Sequence, residues 1–117
     1  MGLDFTVSET TRHYVDKQGR SVSITTELAN FEHAGYKMMD YGLGFQDNCT
    51  TVSYGSEKFL EVLDEMRKDL DEINKTGKDK YKEKTDLENA IDKLQCFIEQ
   101  EHITEDSDRV FDIYVWY

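Results

Sequence analysis

Leu3, Phe5 and Val7 alternate with Asp4, Thr6 and Ser8 at the start of the chain. An apolar residue at every second position gives a strand one buried face. A second run over 21–28 is rich in threonine and β-branched residues, with Val22, Ile24 and Leu28 on one face. Between the runs, Asp16-Lys17-Gln18-Gly19 has the composition of a turn. The pair predicts a β-hairpin with strands near 3–15 and 20–28. Phe31, Ala34, Met38 and Tyr41 then recur at helical spacing, with Asn30 placed to cap them, Gly35 weakening the helix and Gly42 and Gly44 ending it. The stretch 42–55 reads as a loop with a short strand over 50–54.

The strongest helical signal follows. Ser56 suits an N-cap and Glu57 the positive first turn. Phe59, Leu63, Met66, Leu70 and Ile73 repeat every three or four residues, Leu60 and Val62 widen the stripe, and Gly77 suits a terminator. Thr85-Asp86-Leu87-Glu88 matches a capping box that starts or restarts a second helix, with Leu87, Ile91, Leu94 and Ile98 on one face and Phe97 beside them. Two amphipathic helices joined by a short connector predict an antiparallel αα-hairpin. The closing run 110–117 is apolar on both faces: Phe111, Ile113, Val115 and Tyr117 on one, Val110, Tyr114 and Trp116 on the other. That pattern belongs to a central strand, or to one whose outer face binds something. The expectation is one α+β domain over residues 1–117, an antiparallel sheet of three or four strands packed against the helical hairpin.

A chain of 117 residues buries enough surface to fold without a disulfide or metal. No apolar run reaches the roughly 20 residues of a membrane helix, and the first residues carry charges where a secretion signal needs an apolar stretch. The expected compartment is the cytoplasm. Cys49 and Cys96 are expected to be reduced thiols, Cys96 on a helix near the core. Charge changes the picture most. Twenty-five acids oppose fourteen bases, net −11. Residues 1–56 and 57–77 each hold seven acids and four bases. The 78–85 stretch holds four bases and two acids, and 86–117 holds nine acids and two bases. Such a surface repels phosphates and anionic membranes and attracts basic protein surfaces. Direct nucleic-acid and membrane binding are therefore not expected.

Catalytic patterns are missing from the sequence. His13, His33 and His102 lie in unrelated segments without the spacing of a zinc site, and no nucleophile-elbow or phosphate-loop pattern occurs. Neither an enzyme nor a cofactor is expected. The acids divide into two groups. Glu61, Asp64, Asp69, Asp71 and Glu72 read as the wet face of a helix. Glu99, Glu101, Glu105, Asp106 and Asp108 form an acidic end to the second helix and its exit loop, where negative charge opposes the macrodipole with no evident structural return. These five, with Tyr114 and Trp116 as aromatic anchors, are the candidate partner-binding residues. Their expected partner is a basic protein, such as a nuclease or another nucleic-acid-binding complex, met by carboxylates that imitate phosphates.

The opening Met1-Gly2-Leu3-Asp4 running into a strand, with the closing Ile113-Tyr114-Val115-Trp116-Tyr117, resembles small bacteriophage-encoded proteins of uncharacterised role. The resemblance implies a phage provenance and a bacterial host cell. It also implies the inhibitory role that small acidic phage proteins often have against host or defence machinery, anti-CRISPR proteins among them. Two alternatives stand beside this reading. One is a small-ligand or nucleotide-binding module built on the glycine- and aromatic-rich loop 41–55. The other is a homo-oligomer that pairs through the last strand or the helical hairpin.

Overall fold

The computed structural model describes residues 3–44, 51–76 and 81–116. Two strands open it, β1 (Asp4–Val15) and β2 (Ser21–Asn30). One 3-10 turn, Glu32–Ala34, leads into the short helix α1 (Gly35–Asp40). Strand β3 (Thr51–Gly55) runs directly into helix α2 (Ser56–Thr76). Helix α3 (Tyr81–Gln100) and strand β4 (Val110–Trp116) complete the chain. The sheet order is β2-β1-β4-β3, with every neighbouring pair antiparallel. The α2–α3 hairpin covers one face of this sheet, so the α+β expectation holds with four strands.

Alternation decides which face is covered. Leu3, just before the first strand, Phe5 and Val7 within it, and Phe111, Ile113 and Val115 of the last are buried beneath the helices. The last strand is central, as its two apolar faces predicted, and its other face points away from the helices. Five phenylalanines join the layers. Phe5 stacks on Phe31 at 5.6 Å, Phe31 meets Phe97 edge-on at 5.6 Å, and Phe59 lies 5.5 Å from Phe97 and 5.1 Å from Phe111. Each such pair adds about 0.5–1.5 kcal/mol beyond its buried area.

Several expectations change. The second strand contributes little to the core, and its alternation breaks where Leu28 is bypassed between the pairs Ser8↔Glu27 and Val7↔Ala29. The helix expected over 31–41 is α1 preceded by the 3-10 turn. Asn30 does not cap it: the flanking residues are Phe31 for the 3-10 turn and Ala34 for α1, neither with a side-chain cap. Asn30 Oδ1 instead accepts from the Glu32 N–H at 2.9 Å, a local turn, and from the Phe5 N–H at 3.2 Å. Gly35 is a requirement rather than a weakness, because a Cβ there would lie 2.6 Å from the Phe5 Cβ. Gly42 ends α1 as expected, at φ +84°, with its N–H on the Met39 carbonyl and the Leu43 N–H on that of Met38, both at 3.0 Å.

The third helix begins at Tyr81, so Thr85 lies inside it and caps nothing. Cys96 is exposed rather than near the core. Gly77, Cys49, Phe45 and Tyr117 lie outside the described residues. Because the third strand passes into α2 without a loop, Ser56 is the first helical residue and not the flanking cap. It is buried, and its Oγ makes no hydrogen bond among the described residues.

Two substitutions test this packing by urea denaturation. Gly35→Ala forces a methyl into Phe5 and should cost about 2–3 kcal/mol. Ser56→Ala should raise stability by about 1 kcal/mol, since it removes a buried hydroxyl without a partner. A working N-cap would instead lose about 1 kcal/mol on the same change.

Candidate functional site

The acidic end of α3 is closed by a second helix terminator of the Schellman type. The Ile103 N–H bonds the Ile98 carbonyl at 3.0 Å and the His102 N–H that of Glu99 at 3.3 Å, while Ile98 and Ile103 are both buried. His102 takes the left-handed position at φ 53° that glycine occupies after α1. This turns the chain into the loop 101–109. Within it the Ser107 N–H bonds the Thr104 carbonyl at 3.1 Å.

Arg109 anchors the far end of that loop. Its Nε and Nη2 donate to the two carboxylate oxygens of Glu9 at 2.8 and 2.9 Å, a forked pair. Nη2 also donates to Glu101 Oε1 at 2.8 Å, and Nη1 to the Glu101 carbonyl. The guanidinium lies over the Phe111 ring, 4.8 Å from its centre. Its hydrogen bonds to Glu9 first, then to Glu101, hold this group still more firmly protonated than a free arginine. The cation sits beside the last carbonyls of α3, where the macrodipole favours it. Glu101 therefore has a structural return that its sequence neighbours did not disclose.

The loop carries Glu105 to the side of α2. There Glu57, Glu61, Asp64 and Glu105 line a groove of about 520 Å³ together with Leu60 and Leu63, and Arg67 is the one cation among its described lining residues. Arg67 donates to Gln95 Oε1 at 2.6 Å, and Gln95 donates onward to Glu99 at 3.1 Å. Lys68 pairs with Asp64 at 3.0 Å, with both side chains largely exposed, a contact worth at most about 1 kcal/mol. Glu57 and Glu61 are one turn apart on the same helix. Like charges at that spacing cost roughly 0.2–0.5 kcal/mol. The groove thus concentrates carboxylates from two stretches of chain some forty residues apart in sequence.

The candidate residues separate into two places. Glu105 lies in the groove, Glu99 is linked to it only through Gln95 and Arg67, Glu101 is tied to Arg109, and Asp106 and Asp108 are exposed on the same loop. Tyr114 and Trp116 lie on the opposite, uncovered face of the sheet, stacked with ring centres 6.5 Å apart and planes at 6°. One contact area does not hold both sets. The pattern reading missed Arg109, its partner Glu9, and the contribution of Glu57, Glu61 and Asp64. Two signals were present: the i,i+4 carboxylates of α2, and a lone arginine in a loop otherwise acidic.

The glycine-rich stretch has structural work. Beyond Gly42, Gly44 at φ +80° has its N–H on the Tyr54 hydroxyl at 3.0 Å, and a Cβ there would stand 2.9 Å from the Phe5 ring. Tyr41 donates to Asp69 at 2.5 Å, and burial, with that carboxylate beside it, raises its pKa. A cleft near His33, Tyr36 and Asp86 holds about 100 Å³, less than the roughly 300 Å³ at which ligand pockets begin. Among the described residues no group of three or more His, Cys, Asp or Glu side chains is placed to hold a metal ion, and no helix is long and apolar enough to cross a membrane. No protein-family model, curated protein or solved structure matches the chain.

The Arg109 anchor is testable by a double-mutant cycle. Arg109→Met leaves Glu9 and Glu101 facing one another and should cost about 2–4 kcal/mol in chemical denaturation. Glu9→Gln in that background should recover part of the loss, whereas in the wild type it should destabilise. Additive effects would mean that the three groups do not act as a unit.

Proposed function

We propose that this chain is a non-enzymatic binding protein whose acidic groove receives a basic segment of a protein partner. The observation that carries the reading is the groove itself, with four carboxylates and one guanidinium among its described lining residues, beside Leu60 and Leu63. A surface of this kind presents negative charge at fixed positions. It offers a competitor to nucleic acid for lysine- and arginine-lined sites. With the net charge of −11, it also speeds encounter with a basic partner and slows approach to phosphates. The role we infer is inhibition of a bacterial nucleic-acid-handling or antiphage-defence complex, by occupying the surface where nucleic acid would bind. The chain's repelled i,i+4 carboxylates gain most from such an encounter, since a partner's cations relieve a repulsion already present in the free protein.

The test uses tethered protein and bacterial lysate, followed by assay of the recovered partner with its nucleic acid. The partner should elute as salt rises through the range that screens exposed charge, and nucleic acid should compete with the protein for it. Glu61→Lys with Asp64→Lys should weaken binding at least about tenfold, with the fold intact by circular dichroism. Salt-insensitive capture, or equal binding by the charge-reversed form, would remove this function.

A further inference from the structure

The first two strands pair along most of their length, but β4 accompanies β1 only from Asp4 to Ser8. From Glu9 onward the two strands leave the sheet and run out as a ribbon, which contributes to a longest dimension of 63 Å. The tip is well tied. Asp16 Oδ1 accepts from the Gln18 and Arg20 N–H groups at 2.9 Å, and Arg20 Nε donates to Oδ2 at 2.8 Å. Register places Tyr14 opposite Val22 and Arg12 opposite Ile24. Tyr14, Val22 and Ile24 therefore share one face, the continuation of the face that the helices cover nearer the body. Here it is open, with Tyr14 47% and Ile24 39% exposed. A bare two-stranded ribbon is marginal in water until a face is covered.

The molecule has a second open apolar area, on the outer face of the sheet. Tyr114 (36% exposed) and Trp116 (45%) are stacked there, with Val110 further along the strand. Of seven large exposed hydrophobic side chains among the described residues, five belong to these two areas, and Val15 lies on the ribbon's other face. Their charges are opposite in sign: residues 9–26, the ribbon itself, hold Arg12, Lys17 and Arg20 against Glu9 and Asp16, net +1, so the rest of the chain holds −12. Around the aromatic pair, cross-strand register sets Asp4 beside Trp116, Asp112 beside Ser8 and Ser53, and Glu27 beyond Ser8, with no lysine or arginine among these positions.

We propose that the ribbon of one copy seats on the outer sheet face of a second copy, its Tyr14–Val22–Ile24 stripe against Tyr114 and Trp116. Its net positive charge then lies among Asp4, Asp112 and Glu27. The contact is heterologous, joining two different surfaces. It brings together the patches of opposite sign on a chain whose overall charge otherwise opposes self-association. It uses neither the groove nor its partner, and so stands or falls separately from the proposed function.

Sedimentation velocity from low to high micromolar concentration tests it. The wild type should associate with rising concentration, less so in high salt. Ile24→Ser on the ribbon and Trp116→Ser on the face should each weaken association at least about tenfold, with Tyr114→Thr as a second face variant should Trp116→Ser unfold. Mixing the ribbon variant with the face variant should restore a complex, because each supplies the surface the other lacks. A wild type monomeric at the highest concentration overturns the proposal, as it would if only an unrelated basic protein occupied the face. So does a mixture no better than its components, the result expected of a symmetric contact.

Discussion

The guanidinium of Arg109 is held by two carboxylates from opposite ends of the chain, Glu9 on β1, a hundred residues before it, and Glu101 just past the end of α3. It also touches the face of Phe111, the first inward residue of β4. One side chain thus joins the first strand, the last strand and the exit of the helical hairpin. A forked, charge-assisted pair of this kind fixes orientation as well as distance. Where Arg109 holds the loop 101–109, the positions of Glu105, Asp106 and Asp108 follow. Without it the carboxylates of Glu9 and Glu101 would repel one another in partly buried surroundings, and the loop would have only its short turn and the buried Ile103 to place it.

That anchoring explains why an acidic groove forms on a chain with this excess of acids. Spread evenly, the charges would lower one another's cost. Instead the loop brings Glu105 to a helix that already places Glu57 and Glu61 one turn apart. Leu60 and Leu63 continue the stripe that buries Val62 and Met66 in the core, so the acids stand on a rigid element. Rigidity matters for recognition, because charges fixed in place need no ordering when a partner arrives. Lys68 and Arg67 soften the repulsion without cancelling it, since one pairs on the exposed surface and the other is turned toward Gln95.

Much of the fold was legible because it depends on local pattern. The alternation of Leu3, Phe5 and Val7, the stripe from Phe59 to Met66 and the two-faced run from Val110 to Trp116 each fixed an element and its burial. The errors fell where one segment's conformation is set by another. Gly35 looks like a flaw in a helix until Phe5 is seen against it. Ser56 looks like a cap until the preceding strand is seen to enter the helix directly. Thr85 matches a capping box yet lies inside a helix that starts earlier. At the site, the acids of the exit loop were visible but their neutralisation was not, because Glu9 and Arg109 meet only through the β1–β4 pairing. The separation of Glu105 from Tyr114 and Trp116 was equally hidden, since it depends on which face the helices cover.

Carboxylates of α2 and of the exit loop meet at one groove, and recognition there is what most needs testing. The most direct measurement is a nuclear magnetic resonance titration of the intact protein with a short arginine-rich peptide, following backbone amide shifts at low and high salt. The account predicts saturable changes confined to Glu57, Glu61, Asp64, Glu105 and their immediate neighbours, fading as salt screens the contact. Weak changes scattered over every acidic segment, or none at the groove, would contradict it.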